Sequence, residues 1–385
     1  MKIEDLALQR SKYKHLSDEE WRWFLQQVEG RERTADKLPT FAAIDDWWYP
    51  VRLSCEQCSS ELTAKYKAEI ILPQIEQVGQ ISNFVDLTGG YGVDTYFLSE
   101  HFDHTDYVEQ NTELCRIAEH NKGLWVTGYG LRDIRIHNNS AEEFLETAGQ
   151  YDLIFLDPAR RDSHGGKVFR LEECTPNVVE LLPTLLSHGK QILLKLSPML
   201  DLTQAVKELS AISLQWSVYV VAVKNEVKEL LLLSQQPIAN SQQPTITAID
   251  LASPEQAFVF TREEEQNCPF TFHLSPFTFL YEPNAAILKS GAYKLVAQRF
   301  GLTKLDVNTH LYVSDTLVEN FPGRVWKIAN SQEPKAKSQA NVLVRNYPLT
   351  AEQLKKKLHL RDGGELFIIG CRVNGKPVLF EAERV

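Results

Sequence analysis

The chain has 385 residues, of which 43% are apolar and 24% are charged. This length predicts two to four packed units, and the composition is that of a globular protein rather than of a disordered chain. No apolar run approaches the roughly 20 residues that span a bilayer, and residues 1–10 lack the apolar core of an export signal, so we expect a cytoplasmic protein.

The charge is unevenly distributed along the chain. The formal net charge is −10, yet residues 323–385 contain 12 Lys and Arg against 6 Asp and Glu, a net of +6, which leaves −16 on the rest. An even distribution would argue against a polyanionic partner. A basic C-terminal part on an acidic body is compatible with one.

The cysteines indicate neither disulfides nor a metal site. There are six of them, few for this length, and without an export signal we expect reduced thiols. Only Cys55 and Cys58 form a CxxC pair, and no second pair of Cys or His ligands completes a zinc site. We therefore predict packed or surface thiols and no bound metal.

Residues 1–78 are predicted to be an N-terminal helical region. Ser17 followed by Glu20 has the spacing of a capping box, apolar residues then recur at helical spacing, and a second helix is expected to begin near Ser59 or Ser60. The cluster Trp47-Trp48-Tyr49-Pro50 is more typical of core packing than of stacking on nucleic-acid bases.

Residues 79–240 are predicted to form a doubly wound α/β domain. From Ile81 onward, short apolar strands alternate with helical stretches, the pattern of a parallel sheet covered on both faces. Seven strands are expected, at Phe84–Leu87, Asp106–Glu109, Ile134–Asn138, Leu153–Leu156, Gln191–Leu196, Val218–Val223 and Glu229–Ser234.

Two smaller parts are predicted to follow a linker at Ile238–Pro244. Residues 241–320 are expected to form a small α+β unit, with strands at Thr245–Leu251, Ala257–Thr261 and Phe270–Leu274 and a helix from Ala285 to Phe300. Residues 321–385 are the basic part, with strands at Arg324–Ile328 and Asn341–Asn346, a helix from Thr350 to Leu358 and a hairpin that turns at Asn374-Gly375.

A glycine-rich loop follows the first strand of the α/β domain. In the run Asp86-Leu87-Thr88-Gly89-Gly90-Tyr91-Gly92, the glycines stand where the backbone must turn tightly and let a ligand approach. The carboxylate of Asp86 would repel the pyrophosphate of a dinucleotide, but it suits a ligand that carries an ammonium and a sulfonium. This favours S-adenosylmethionine (SAM) over NAD.

The next two strand ends supply further candidate cofactor contacts. Glu109 ends the second strand, where a carboxylate accepts hydrogen bonds from ribose hydroxyls in nucleotide-binding α/β folds. Asn139, Ser140 and Ala141 follow the third strand, where adenine would lie, although the same residues would also cap a helix. The predicted cofactor-binding residues are Asp86, Thr88, Gly89, Gly90, Gly92, Asp94, Glu109, Gln110, Asn139, Ser140 and Ala141.

The fourth strand ends in the run Asp157-Pro158-Ala159-Arg160-Arg161. The loop from Asp86 to Gly92, together with Glu109 and Asp157-Pro158, resembles motifs I, II and IV of class I SAM-dependent methyltransferases. The chain resembles in particular the bacterial methyltransferases that carry a C-terminal THUMP-like domain; the matching segments also include Gly165–Phe169, Leu62–Ala68 and Tyr281–Ala286.

This resemblance implies a fold and an activity. The fold is a Rossmann-like, seven-stranded methyltransferase domain with an N-terminal helical region, followed by small α+β domains of ferredoxin-like and THUMP-like type. The activity is methyl transfer from SAM, with RNA as the expected acceptor because THUMP domains bind RNA in several RNA-modifying enzymes.

Basic residues are the candidate RNA contacts. Lys355, Lys356, Lys357 and Arg361 cluster on or beside one predicted helix and could neutralise phosphates, although a solvated helix face is the alternative. Arg160 and Arg161 are also expected to engage phosphate.

The motif IV region leaves the methylated atom open. In amino methyltransferases the motif IV acidic or amide side chain and the proline backbone hold the target nitrogen, which implies catalytic roles for Asp157 and Pro158. Lys195, at the end of a later strand, is the third predicted catalytic residue. Ala159-Arg160 replaces the usual Pro-aromatic pair. Carbon methylation through a thiolate is disfavoured, because Lys195-Leu196-Ser197-Pro198 contains no cysteine.

Other acceptors remain as alternatives. Lys65, Asp157, Lys195 and Glu229 follow the order of the tetrad in ribose 2′-O-methyltransferases, where a lysine with a depressed pKa deprotonates the hydroxyl; Lys65 is thus also a candidate substrate contact. The acidic body is compatible with a small-molecule or protein acceptor. The atypical motif IV is compatible with a SAM- or RNA-binding module without catalysis.

Overall fold

The computed structural model of the chain describes Leu6 and residues 9–76, 83–125, 133–160, 170–210, 215–235, 244–269, 277–330 and 339–385. The chain divides into two compact units. The first comprises Met1–Trp216 and Leu231–Ser241, and the second comprises Ser217–Leu230 and Gln242–Val385.

The first unit begins with a helical layer, as predicted. After a short 3₁₀ helix at Arg10–Tyr13, its helices are α1 (Asp18–Thr34), α2 (Pro39–Ala43), α3 (Arg52–Gln57) and α4 (Glu61–Glu76). The predicted capping box at the start of α1 is confirmed: the Ser17 hydroxyl accepts from the Glu20 amide at 3.2 Å, and the Glu20 carboxylate accepts from the Ser17 amide at 2.7 Å.

All seven predicted strands of the α/β domain are present, with ends shifted by at most three residues. They are β1 (Asn83–Asp86), β2 (His104–Val108), β3 (Asp133–His137), β4 (Tyr151–Leu156), β7 (Gly189–Leu196), β8 (Gln215–Val223) and β9 (Glu226–Gln235); two-residue strands β5 (Ala159–Arg160) and β6 (Cys174–Thr175) follow β4. The helices between them are α5 (Val93–Ser99), α6 (Thr112–Lys122), α7 (Ala141–Leu145), α8 (Val178–His188) and α9 (Leu202–Ser210).

The seven strands lie in the order β3-β2-β1-β4-β7-β9-β8. β1 pairs in parallel with β2 and β4, β2 with β3, and β4 with β7. The strand order therefore reverses next to β1. Ligands of open α/β sheets bind outside the carboxyl ends of the strands at such a switch point, so this topology brings the ends of β1, β2, β3 and β4 to one crevice.

An aromatic core packs the helical layer against the loop that follows β1. Phe41, Trp47, Tyr49 and Tyr91 are all buried, and Phe41 stacks on Trp47 with 4.2 Å between ring centroids. Trp47 Nε1 donates to the Tyr91 hydroxyl at 2.8 Å. The tryptophan-tyrosine cluster is therefore core packing, as expected, and it fixes one side of the glycine loop.

In the second unit, β10 (Thr245–Asp250) pairs in parallel with Val218–Ala222 of β8 and antiparallel with β11 (Phe258–Thr261), and helix α10 (Arg262–Asn267) follows. A short 3₁₀ helix at Pro254–Gln256 joins β10 to β11. In the first unit, a 3₁₀ helix at Leu171–Glu173 precedes β6. The predicted strand at Phe270–Leu274 and most of the predicted linker lie outside the described residues.

The second unit also contains a seven-stranded sheet in the order β13-β14-β12-β15-β18-β17-β16. Trp326, Ile369 and Phe380 lie in its buried core. Its elements are β12 (Phe279–Pro283), α11 (Ala285–Ser290), α12 (Tyr293–Phe300), β13 (Thr303–Asp306), β14 (Thr309–Ser314), β15 (Gly323–Asn330), β16 (Asn341–Arg345), α13 (Ala351–Leu358), β17 (Leu366–Val373) and β18 (Lys376–Arg384).

The prediction of one helix from Ala285 to Phe300 was wrong. Gly291 has a left-handed φ of 85° and ends α11, so two helices occupy the segment. The two strands that follow, β13 and β14, were not predicted. The hairpin at Asn374-Gly375 is confirmed: both residues have positive φ, 48° and 76°, as a type I′ turn requires.

Among the described residues, no helix combines the length and the apolar character that crossing a bilayer requires.

Candidate active site

β1 ends at Asp86, whose buried carboxylate organises the following loop. It accepts from the Thr88 amide at 2.9 Å and from the Thr95 hydroxyl, on α5, at 2.6 Å. Burial raises the pKa of Asp86 to about 7, although the hydrogen bonds from Thr95 and Thr88 oppose this shift. Asp86 thus connects the strand end to the helix and titrates near neutral pH.

The glycines of the loop are required by close packing and by backbone conformation. A Cβ on Gly89 would lie 2.2 Å from the ring of Tyr107, which is closer than van der Waals contact permits. Gly90 and Gly92 have φ of +56° and +82°, a region that side-chain-bearing residues rarely adopt. All three glycines line the cavity.

Glu109, at the end of β2, clamps this loop. Its Oε2 accepts from the Gly90 amide at 2.9 Å, and its Oε1 accepts from the Asn111 amide at 2.7 Å. Because a carboxylate oxygen has two lone pairs, each oxygen keeps acceptor capacity for hydroxyl groups of a ligand.

The turn after β3 caps a helix, which is the alternative role that the sequence left open for its residues. Ser140 caps α7 in a capping box with Glu143. Gln110, Asn139, Ser140 and Ala141 also line the cavity. Their contact with a cofactor stays a prediction.

The two predicted catalytic side chains lie together at the ends of β4 and β7. Lys195 donates to the Asp157 carboxylate, and Lys195 Nζ also lies 3.6 Å from Asp94 Oδ2. The Asp157 amide donates to the Thr88 hydroxyl at 2.7 Å, which ties motif IV to the glycine loop. The Lys195 side chain is only 11% exposed, whereas that of Asp157 is 38% exposed and can meet a substrate.

The residues after Asp157 form a short ribbon. Pro158 is buried. β5 pairs antiparallel with β6, so that Ala159 lies opposite Thr175, and both residues line the cavity. The side chain of Arg160, the residue Arg161 and the segment 165–169 lie outside what the structure describes.

A buried lysine that the sequence analysis missed enters this site. Lys67, on α4, is fully buried, and its Nζ lies 3.2 Å from Asp94 Oδ1. Ser59 donates to Asp94 Oδ2 at 2.7 Å. The lysine that was predicted, Lys65, instead donates to Glu61 at 2.6 Å, and its side chain is half exposed.

The pattern of burial on α4 explains this difference. Two residues along a helix are separated by about 200°, so Lys65 and Lys67 face opposite sides. Thr63, Ala64 and Ala68 share the buried side with Lys67. The spacing of these small residues was the available signal that Lys67 faces the interior.

The cavity at the strand ends has a volume of about 300 Å³, at the lower end of the range for small-molecule sites. It was not predicted that the N-terminal region forms one wall of this cavity, through Ser54, Gln57, Cys58 and Ser59. The opposite walls are the glycine loop, the ends of β2 and β4, and the turn after β3.

The thiols near the cavity are not poised as nucleophiles. Burial raises the pKa of Cys55 to about 12 and also raises the pKa of Cys58. Among the described residues, no group of three or more His, Cys, Asp or Glu side chains could hold a metal ion.

In the second unit, the three predicted lysines of α13 differ in their surroundings. Lys355 forms ion pairs with Glu352 at 3.0 Å and with Asp362 at 2.7 Å. Lys356 and Lys357 are exposed, as is Arg361 beyond the helix. Three of the four residues in the predicted basic cluster are thus available to a polyanion.

The strand order, the glycine loop after β1 and the acidic residues that end β2 and follow β4 define a class I methyltransferase domain. Family models match the second unit: a ferredoxin-like domain over residues 279–322 and a THUMP domain-like module over residues 324–384. A search of curated proteins finds no match to the chain.

A solved structure matches nearly the whole chain. It is the crystal structure of a candidate methyltransferase from Porphyromonas gingivalis W83, with 32% identity and a TM-score of 0.83 over 96% of this chain and 92% of that one. The chain therefore belongs to the same family, the SAM-dependent methyltransferases with a C-terminal THUMP-like domain.

Other similar structures cover about half of the chain. An rRNA methylase from Streptococcus thermophilus shares 12% identity and a TM-score of 0.32 over 44% of this chain and 95% of that one. The magnesium protoporphyrin IX methyltransferase of Synechocystis PCC 6803, solved with bound SAM, shares 12% identity and a TM-score of 0.36 over 57% of this chain and 98% of that one.

The contact between Gly89 and Tyr107 predicts the effect of adding one methyl group to the loop. Gly89→Ala should lower the free energy of unfolding by about 1–3 kcal/mol, because its Cβ would meet the Tyr107 ring. Gly149→Ala is the matched control, since nothing lies within 4 Å of a Cβ there. Urea unfolding compares the two; equal stabilities would contradict the contact.

Proposed function

We propose that the cavity binds SAM and that the enzyme methylates a nitrogen of a base in RNA. When bound, SAM supplies a methyl group already activated by its sulfonium, so the protein mainly has to align the acceptor and manage one proton.

Several features of the cavity fit SAM. Gly89, Gly90 and Gly92 line the cavity, so a ligand can approach the backbone of the loop closely. Glu109 presents carboxylate oxygens with spare acceptor capacity at the position where ribose hydroxyls are bound in such folds. Asp86 would place a carboxylate near the cationic end of the ligand. The positive charge of the ligand would favour the ionised form of Asp86.

The pairing of Asp157 with Lys195 carries the assignment of the acceptor. Asp157 is the exposed member and can accept a hydrogen bond from an amino or imino group, holding the nitrogen and receiving its proton. Lys195 lies between the carboxylates of Asp157 and Asp94 and donates to Asp157. A lysine that donates to a carboxylate is not placed to deprotonate a ribose hydroxyl, so the pair favours nitrogen over 2′-oxygen.

The position of Lys65 also disfavours the ribose 2′-O-methylation mechanism. Lys65 is engaged by Glu61 at 2.6 Å, while Lys67 occupies the place beside Asp94. Glu229, the fourth residue of the tetrad, is buried in β9.

The second unit supports RNA as the substrate. Residues 324–384 match the THUMP domain-like model, and the basic excess of residues 323–385 suits a phosphate backbone. The exposed Lys356, Lys357 and Arg361 are the phosphate contacts that we propose, together with Arg160 and Arg161, which follow Asp157 closely in the sequence. We further propose that the methyltransferase domain spans residues 79–240, between the helical region of residues 1–78 and the small units at 241–320 and 321–385.

The first test replaces the proposed proton acceptor. Asp157→Asn should lower methyl incorporation from labelled SAM into RNA at least a hundredfold, because the amide cannot accept the proton, while the dissociation constant for SAM changes less than about threefold. Filter binding of labelled RNA and calorimetry of SAM measure the two effects.

Asp103→Asn, at an exposed position in the loop before β2, is the control and should retain wild-type activity. Full activity of Asp157→Asn would contradict the catalytic assignment. Label that enters only protein or small molecules would contradict RNA as the acceptor.

The second test uses the titration of Asp86. Because its pKa is about 7, protonation should remove the carboxylate charge as the pH falls through neutrality. SAM affinity should therefore weaken roughly eightfold between pH 7.5 and pH 6, following the ionised fraction of the free enzyme. Asp86→Asn should bind SAM weakly and without this pH dependence. Equal pH dependence of the two proteins in calorimetry would contradict a role for the Asp86 charge.

A further inference from the structure

Four side chains of alternating charge run from α4 to the catalytic pair. Lys67 contacts Asp94 at 3.2 Å, Asp94 contacts Lys195 at 3.6 Å, and Lys195 donates to Asp157. Ser59 adds a hydrogen bond to Asp94 at 2.7 Å. The charge row thus begins on a fully buried lysine and ends on the carboxylate that faces the cavity.

Burying such a row of charged side chains costs free energy, because the charges leave water. Lys67 is fully buried, and only 10% of the Asp94 side chain is exposed. Burial opposes ionisation of Asp94, but the charges of Lys67 and Lys195 outweigh it and hold the pKa of this carboxyl below its usual value. Buried ion pairs stabilise a fold no better than apolar side chains of similar volume, so stability alone does not account for this one.

We propose that Asp94, held by Lys67 and Ser59, is a positioning residue that fixes the Lys195 ammonium against Asp157. This inference rests on the proposed role of Asp157, and it gives Asp94 a different role from the cofactor contact that its sequence position suggested. The carboxylate of Asp94 is already engaged by two ammonium groups and a hydroxyl. Its effect on methyl transfer should therefore pass through Lys195.

The competing explanation is that Lys67 and Asp94 only anchor α4 on α5. The two explanations predict different effects on methyl transfer when both charged side chains are replaced by neutral ones. Removing one charge takes an ion partner from a buried group and destabilises the protein in either case. Replacing both charges by amides, in Lys67→Gln with Asp94→Asn, keeps the pair balanced in charge but leaves Lys195 without the Asp94 carboxylate.

The experiment compares this double variant with the wild-type full chain. We expect a midpoint of thermal unfolding close to that of the wild type, a SAM dissociation constant within threefold, and a turnover number for methyl transfer to RNA at least tenfold lower. The matched control is Lys190→Gln with Asp152→Asn. It neutralises another lysine–aspartate pair, 2.6 Å apart, at the opposite ends of β7 and β4, and should leave turnover unchanged.

A second readout does not depend on catalysis. In protein labelled with ¹³C at lysine Cε, the resonance of Lys195 is assigned by its loss in Lys195→Met. We expect the Lys195 ammonium to lose its proton at a lower pH in the double variant than in the wild type, because one of its two carboxylate neighbours is gone. If the double variant does not fold, Lys67→Met with Asp94→Asn, which replaces the buried lysine by an apolar side chain of similar length and removes the same carboxylate, should shift the titration in the same direction.

The outcomes separate the two proposals. Wild-type turnover together with an unchanged Lys195 titration in the double variant would overturn the positioning role. A tenfold loss of SAM affinity at unchanged turnover would make Asp94 a cofactor ligand instead. If the wild type transfers no methyl group to RNA, the proposed function fails, while the Lys195 titration still decides whether Asp94 positions this side chain.

Discussion

The close packing of the Gly89 backbone on the ring of Tyr107 is the constraint on which the cavity depends. It brings the loop after β1 down onto the end of β2, so that Glu109 reaches the Gly90 amide. The same loop presents the Thr88 hydroxyl to the Asp157 amide. One tight turn therefore sets the relative positions of motifs I, II and IV around the cavity.

Electrostatics distinguishes the environments of three carboxylates in the cavity region. Asp86 is buried, which raises its pKa to about 7. Asp94 lies between two lysines, whose charges hold its pKa below the usual value. Asp157 shares Lys195 with Asp94 but is open to the cavity. In the function that we propose, these environments suit Asp86 to the cofactor, Asp94 to the support of Lys195 and Asp157 to the acceptor.

The sequence predicted what local patterns encode and missed what depends on packing. The strands, the glycine loop, the capping box at Ser17 and the hairpin at Asn374-Gly375 each follow from residues close together in the chain. The choice between Lys65 and Lys67 depends on which side of α4 faces the α/β domain, and the wall formed by Ser54 and Gln57 depends on where the helical region packs. The small residues around Lys67 indicate its buried side, but which element that side contacts, like the wall at Ser54 and Gln57, depends on long-range packing.

Nucleoside mass spectrometry of RNA from cells that lack this chain tests the central claim most directly. The proposed function predicts that one base-methylated nucleoside is missing and that the wild-type chain restores it, whereas the Asp157→Asn chain does not. Loss of a ribose 2′-O-methylated nucleoside would contradict the assignment of a nitrogen acceptor. An unchanged set of RNA nucleosides would contradict RNA as the substrate.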